Sequence, residues 1–221
     1  MDWLPILVSL KLATVTTVAL MVFAAPLAYI LARFKFPGKS LIDALVNLPM
    51  VLPPTVMGFY LVMIMGPRGL AGLVWQKLTG SPLLFTFLGI SITSILYSLP
   101  YAIQPMKTSF LKIDKRMLES AYVLGLSKTQ TFFRVVIPNS ISGIAAASIL
   151  VFLHSMGAFG VILMVGGSIP GKTKVASITI YEAVESMNYR EAGIIALCFI
   201  PISYCFLLLI NKLNEEPHHD A

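Results

Sequence analysis

The sequence predicts an all-α membrane protein that forms one domain over residues 1–221 and contains about five transmembrane helices. Hydrophobic residues make up 57% of the chain and charged residues only 12%, and the mean hydropathy is +0.85. A soluble fold needs more polar surface than this to cover its core. Apolar runs of roughly 20 residues, long enough to cross a bilayer as a helix, recur along the chain. They place the spans at approximately residues 6–32, 41–65, 85–106, 141–165 and 192–210.

The second of these spans is interrupted by prolines. Asn47 is followed by Pro49, Pro53 and Pro54. Prolines this close cannot lie in a straight helix, because each removes an N–H donor and crowds the preceding turn. In lipid, the carbonyls freed in this way need protein or water partners. The segment therefore either lines a pore or forms a kink that only shapes packing, and these four residues are candidate pore or gate residues.

The fourth span combines small residues with one histidine. Gly143 and the run 145–148 predict close contact with a neighbouring helix. His154 lies in mid-span, and an ionisable side chain in a membrane helix is a functional candidate by default. The alternative is a neutral imidazole hydrogen-bonded to another helix. We include His154 and Ser155 among the candidate pore or gate residues.

The last third of the chain offers no metal site. Apolar residues at helical spacing between 176 and 187 predict a short surface helix or a gate over a cavity. Cys198 and Cys205 are seven residues apart and lack the spacing of metal ligands. His218 and His219 are adjacent near the C-terminus, and we expect them to be disordered rather than metal-binding.

The polar interval 107–140 carries a cluster of positive charges. By the positive-inside rule it faces the cytoplasm, and with five spans the N-terminus is outside and the C-terminus is cytoplasmic. Most cations lie beside spans, where they orient helices, so the net charge of +6 does not indicate nucleic-acid binding. The cations of the interval are Lys107, Lys112, Lys115, Arg116, Lys128 and Arg134.

A nucleotide-binding pattern, G-x-x-x-x-G-K-[ST], occurs at residues 166–173. A phosphate cradle presents backbone N–H groups to phosphate oxygens, and Pro170 has none. The pattern also requires a parallel sheet behind it, whereas here membrane spans flank it and the orientation places it outside. We therefore expect no ATP binding. Lys172 and Lys174 either steer an anion or contact a partner, or else the segment is a plain turn.

The interval 107–140 also predicts two short helices. Asp114 can cap the first, and Ser127 with Gln130 forms a capping box for a second that runs to Ile137. Gly125 lies between them. An apolar stripe on the first helix predicts a docking face, and its members recur at helical spacing: Leu118, Ala121, Tyr122 and Gly125.

A motif in this interval is similar to that of a known family. The motif begins with Glu-Ser-Ala at residues 119–121, continues after three intervening residues with Gly125, and ends after nine more with Val-Val-Ile-Pro at residues 135–138. This pattern resembles the "EAA" loop of binding-protein-dependent ABC transporter permeases. Residues 47–72 and 157–173 look like those of molybdate permeases. One departure is that relatives usually carry an arginine and a glutamate where this chain has His154 and Ala158.

The resemblance implies the bundle of a type I ABC importer permease in a prokaryotic plasma (inner) membrane. It implies transport of molybdate, or of tungstate or sulfate, rather than enzymatic activity; an intramembrane enzyme centred on His154 is the alternative. Implied partners are a second copy of the chain, two cytoplasmic ATPase subunits and an extracytoplasmic binding protein. ATP and magnesium would bind the ATPase, and this chain would hold no cofactor. The implied coupling residues are Leu118, Glu119, Ser120, Ala121, Tyr122, Gly125 and Pro138.

Overall fold

The computed structural model describes residues 3–214, and within that range the regular secondary structure is helical. The long helices are α1 (Leu4–Arg33), α5 (Phe87–Lys112), α8 (Ile141–Gly157) and α11 (Tyr189–Asn214). Shorter helices are α2 (Lys39–Val51), α3 (Pro54–Met65), α4 (Leu70–Thr79), α6 (Lys115–Val123), α7 (Lys128–Thr131), α9 (Gly160–Gly166) and α10 (Ala176–Glu185). A π-helical turn, Phe132–Val136, and a 3-10 turn, Pro138–Ser140, join α7 to α8.

The centre of the bundle is formed by α1, α5 and α8, which pack against one another. Their buried apolar residues form two clusters at opposite ends of α1. One contains Leu20 and Leu31 of α1 and extends to Leu118 of α6. The other contains Leu12 of α1 and joins it to α3, α9 and Ile178 of α10. Two half-bundles are therefore stacked along α1 and α5, and α8 contributes to the first of them.

The predicted second span, 41–65, is two helices rather than one. The axes of α2 and α3 differ by 115° at a break that contains Leu52 and Pro53. Both residues have extended backbone, and Pro54 begins α3 at a position where a helix does not need the missing N–H. Each half is roughly 20 Å long, shorter than the ~30 Å hydrocarbon core. By length and composition four described helices can span a membrane, or five if this bent pair counts as one span.

The predicted fourth span, 141–165, is also broken. Helix α8 ends at Gly157, Ala158 is extended, and α9 begins at Gly160 and packs mainly on α3 and α5. The predicted third span is longer than expected, because residues 107–112 complete α5 and do not belong to the following loop. The first and fifth spans agree with α1 and α11, and the predicted short helix at 176–187 is α10. His218 and His219 lie outside the described residues.

Close packing of α5 on α8 requires Gly143. A Cβ added there would lie 2.3 Å from Ser109 Cβ, which is fixed to the α5 backbone. We therefore expect Gly143→Ala to force the two helices apart and to destabilise the protein by about 1–3 kcal/mol, the usual cost of overpacking. The measurement is the thermal unfolding midpoint of the purified protein in detergent. Gly193→Ala is the control, since a Cβ at Gly193 has no atom within 4 Å, and equal midpoints for both variants would contradict this account.

Candidate functional site

The segment between α5 and α8 folds as an elbow, which we define as residues 114–138. Asp114 Oδ1 accepts a hydrogen bond from the Arg116 N–H at 2.9 Å and so caps α6. Ser127 and Gln130 form the predicted capping box at the start of α7, with bonds of 2.9 and 3.2 Å. Each helix thus has its own N-cap, which satisfies the donors that a helix N-terminus leaves free.

Gly125 turns the chain between the two helices. Its φ is +83°, a conformation that residues with a Cβ rarely adopt. The Leu126 N–H donates to the Ala121 carbonyl at 3.1 Å, and the Gly125 N–H donates to the Tyr122 carbonyl at 2.9 Å. These two bonds are the Schellman arrangement that ends a helix. A Cβ at Gly125 would meet nothing within 4 Å, so within this chain the backbone conformation, not crowding, requires glycine.

The predicted docking stripe of α6 faces two directions. Leu118 and Ala121 are buried against the chain's own bundle, and so they are not available to another subunit. Tyr122 is 43% exposed, and the next two residues, Val123 and Leu124, are 87% and 82% exposed. The periodicity identified a helix with an apolar face, but that face packs inward. Val123 and Leu124, which we call the exposed apolar tip, lie outside the periodic pattern, so periodicity could not single them out.

The other predicted residues of the elbow have different surroundings. Glu119 and Ser120 are exposed beside the tip and, with Arg116, Val123 and Leu124, line one shallow surface depression. Pro138 is exposed at the start of the 3-10 turn that leads into α8. The structure therefore brings Glu119 and Ser120 together with the tip.

An aromatic cluster holds the elbow on the bundle, and one arginine fixes the end of α5 from which the elbow begins. Tyr29 of α1 contacts Phe110 of α5 and Phe132 of the elbow, with ring centroids 5.9 and 5.1 Å apart. Arg33, at the end of α1, donates hydrogen bonds to the carbonyls of Phe110 and Ile113. These carbonyls belong to the last turn and the C-cap of α5, where a cation also complements the helix dipole. Phe132 also contacts Phe110, with ring centroids 6.3 Å apart, so this one side chain of the elbow touches both α1 and α5.

Asn47 lies on α2, and its side chain bonds to α5. Its Oδ1 accepts a hydrogen bond from Gln104 Nε2 at 2.7 Å. One turn away, the Asp43 carboxylate accepts bonds of 2.6 and 2.8 Å from Lys107 Nζ. Pro49 is buried in the same helix. The first half of the broken span is therefore fastened to α5 by polar contacts.

The two helix breaks meet at a cavity of about 540 Å³. Pro54 and Thr55 line it from the start of α3, and His154 lines it from α8. Pro53 lies in the neighbouring bend, whereas Ser155 is buried behind the wall. The remaining lining residues are Tyr97, Leu153, Gly157, Ala158, Phe159 and Gly160.

His154 is held firmly at this cavity. Its Nδ1 lies 2.9 Å from Ser98 Oγ, and its ring stacks on Tyr101 with a centroid distance of 4.0 Å. Tyr97 packs against the same ring at 4.7 Å. One ring nitrogen thus bonds to the neighbouring helix α5, and the same residue lines the cavity.

The loop with the nucleotide-binding pattern is folded on itself. The N–H groups of Lys172, Thr173 and Lys174 all point to the Ile169 carbonyl, at 3.0–3.1 Å. The Thr173 hydroxyl donates to the Gly166 carbonyl at 2.6 Å. These groups are unavailable to a phosphate, and the flanking elements are helices. The structure therefore supports rejection of this segment as an ATP site.

Glu182 of α10 anchors this loop. Lys174 Nζ forms an ion pair with it at 2.5 Å, and Ser168 donates a hydrogen bond to it. Burial opposes ionisation of Glu182, but the hydrogen bonds from Lys174 and Ser168 and the lysine charge outweigh it and lower the carboxyl pKa. Among residues 3–214 no group of three metal-ligating side chains occurs.

The structure has two broken membrane spans that meet at a cavity, and an elbow that contacts two central helices. These features are those of a membrane transport subunit with several spans. Residues 24–215 match the family described as binding-protein-dependent transport system inner membrane component. The chain belongs to this family of ABC importer permeases and is a multi-pass membrane protein. The expectation drawn from its EAA-like motif is thereby confirmed.

Similar proteins cover nearly the whole chain. The molybdenum transport system permease protein ModB of Azotobacter vinelandii is 43% identical over 95% of this chain and 92% of its own length. The sulfate transport system permease protein CysT of Escherichia coli K12 is 32% identical over 95% of this chain and 75% of its own. A solved bacterial alginate ABC transporter in complex with a pentasaccharide-bound periplasmic protein has a TM-score of 0.70 at 16% identity, covering 96% of this chain and 78% of that one. That structure shows the same fold.

We expect Gly125→Ala to loosen the elbow, because a Cβ in the left-handed region costs about 1–2 kcal/mol. Hydrogen exchange at the amides of α6 and α7 should become faster. Gly125→Asn should have a smaller effect, since asparagine tolerates this conformation better. Gly80→Ala, at a second uncrowded position with φ +71°, is the control and should leave the elbow unchanged. Exchange as fast in the asparagine variant as in the alanine variant would show that φ is not the cause.

The lowered pKa of Glu182 predicts a pH dependence of the loop that Glu182 anchors. The ionised carboxylate contributes stability above the ordinary value of 4.5, and this contribution is lost as pH falls through the lower folded-state pKa. Glu182→Gln should therefore accelerate limited proteolysis of residues 167–175 at neutral pH, and this difference from wild type should disappear in acid. Glu185→Gln, on the same helix but without a lysine partner, should behave like wild type. A difference between Glu182→Gln and wild type that persists in acid would contradict this assignment.

Proposed function

We propose that this chain is the membrane-spanning subunit of an ABC importer that carries molybdate into the cell. The observation that carries the proposal is the 43% identity, over nearly the full length of both chains, to a molybdenum transport permease. The broken spans around a cavity suit a subunit that alternates a substrate site between the two sides of a membrane. A second, less similar group of relatives consists of sulfate permeases, so sulfate and tungstate are the alternative substrates.

ATP hydrolysis on a separate subunit supplies the energy in this proposal. The elbow faces the cytoplasm and docks on the ATPase through its exposed tip, Val123 and Leu124, together with Glu119, Ser120 and Tyr122. Leu118 and Ala121 support the elbow from inside, Gly125 sets its angle, and Pro138 opens the turn into α8. This chain binds no cofactor of its own, and ATP and magnesium belong to the partner.

The assembly we propose contains two copies of this chain, two ATPase subunits and an extracytoplasmic binding protein. The solved alginate transporter, which has the same fold and is in complex with a periplasmic protein, supports the last of these partners. The N-terminus is outside and the C-terminus is cytoplasmic, which the excess of cations in the elbow favours. The membrane is the plasma membrane of a prokaryote. In this setting the loop at 166–174 and helix α10 lie on the side from which the binding protein delivers its anion.

Reconstitution of the full transporter in liposomes tests the proposal. We expect uptake of molybdate that requires ATP inside, the binding protein outside and an intact elbow. Leu124→Asp should abolish uptake and the stimulation of ATP hydrolysis by the loaded binding protein, because it places a charge on the apolar tip. Leu70→Asp, at a residue of similar exposure on α4, is the control. Uptake of sulfate but not molybdate would establish the alternative substrate, and no uptake of any of these oxyanions would overturn the proposal.

A further inference from the structure

The buried serines beside His154 form a continuous hydrogen-bonded row. Ser94 Oγ donates to Ser155 Oγ at 3.2 Å, and Ser155 Oγ lies 3.2 Å from Ser98 Oγ. Ser98 Oγ in turn lies 2.9 Å from His154 Nδ1. Ser94 and Ser98 lie on α5, and Ser155 lies on α8. The row therefore runs between the two central helices and ends at the imidazole.

Only one direction of this row gives every hydroxyl proton an acceptor. Ser155 is 2% exposed and already accepts from Ser94, so its own proton needs a partner. Among residues 3–214 the acceptor within reach is Ser98. Ser98 then donates to His154 Nδ1. In the opposite direction Ser155 would accept twice and bury an unpaired proton, which costs free energy.

This direction determines the tautomer of His154. Since Nδ1 accepts, the proton of the neutral imidazole is on Nε2. Within the described part of the chain, Nε2 makes no hydrogen bond, and this atom is not fully buried. His154 lines the 540 Å³ cavity, and stacking on Tyr101 holds the ring in place. The imidazole that lines the cavity thus keeps one N–H donor without a partner among residues 3–214.

Among the described residues that line the cavity, none is an aspartate, glutamate, lysine or arginine. Besides His154, its polar side chains are the hydroxyls of Thr55 and Tyr97. A cationic wall would hold a divalent anion tightly, whereas passage requires binding that is favourable but weak. Neutral donors meet this requirement. Each donor in the serine row polarises the next, which strengthens the last N–H as a donor.

We propose that His154 Nε2 is a hydrogen-bond donor to the tetrahedral oxyanion in transit, and that Ser98 is the residue that positions it. This inference rests on the proposed function and adds to it a specific contact in the cavity. His154 holds the anion at the junction of the two broken spans. Ser98, backed by Ser155 and Ser94, keeps the donor proton on Nε2.

The test uses the complete transporter in liposomes, with molybdate as the probe and saturating loaded binding protein. We expect His154→Phe, which keeps an aromatic ring but has no donor, to lower the uptake rate about tenfold, the effect of losing one hydrogen bond to a charged group. Binding-protein-stimulated ATP hydrolysis should continue, because the elbow is unchanged. His154→Gln should retain most uptake, because its amide N–H can replace the Nε2–H.

Ser98→Ala tests positioning. It should reduce uptake in the wild-type background and have no further effect in His154→Phe, because Ser98 acts through His154. Ser148→Ala is the matched control: Ser148 is a serine of α8 whose hydroxyl bonds to its own helix at the Ile144 carbonyl. It should leave uptake unchanged.

Different outcomes separate the two proposals. If wild-type protein takes up no tetrahedral oxyanion, the proposed function fails. If wild type transports and His154→Phe transports equally well, only the donor site fails. An equal loss in His154→Gln and His154→Phe, or an additive effect of Ser98→Ala in His154→Phe, also overturns the donor site by indicating a merely structural role. Stimulated ATP hydrolysis reports assembly, and if His154→Phe does not assemble, His154→Gln and Ser98→Ala decide the question.

Discussion

Backbone polar groups inside a bilayer must find partners within the protein, and the architecture of this chain follows from that constraint. Irregular backbone at membrane depth is tolerated only where it is buried in protein or lines a wet cavity. The chain interrupts two predicted spans, at Leu52–Pro53 and at Ala158–Phe159. Residues next to both interruptions line the same cavity. The cavity is thus the place where two interruptions, each costly in lipid, are accommodated together.

Helix α5 connects this cavity to the elbow. Tyr97, Ser98 and Tyr101 hold His154 at one level, and Phe110 and Ile113 receive the contacts of Tyr29 and Arg33 further along. The distance from Tyr97 to Phe110 corresponds to roughly 20 Å of helix rise. A displacement of the elbow therefore acts on the same helix that positions the histidine. Coupling between a docking surface and a substrate cavity needs such a continuous physical connection.

The nucleotide-binding pattern at 166–173 shows how one sequence string can support a different structure. Its glycines serve positive φ angles at Gly167 and Gly171, and its threonine closes the turn onto the Gly166 carbonyl. Lys174, the residue that follows the pattern, forms an ion pair with Glu182 of α10. The loop is thus closed by its own hydrogen bonds and by one ion pair to α10.

Composition and the length of the apolar runs alone predicted a helical membrane protein with several spans, because hydrophobic spans and positively charged loops follow directly from residue type. The caps at Asp114 and Ser127 and the turn at Gly125 were also predictable, since they depend on residues only a few positions apart. The tertiary structure decided which face of α6 is buried, because periodicity identifies an apolar face but not its partner. It also decided that Asn47 bonds to Gln104 and that Pro54 and His154 share a cavity. These pairs are 57 and 100 residues apart in sequence, and only the packing of α2, α3, α5 and α8 brings them together.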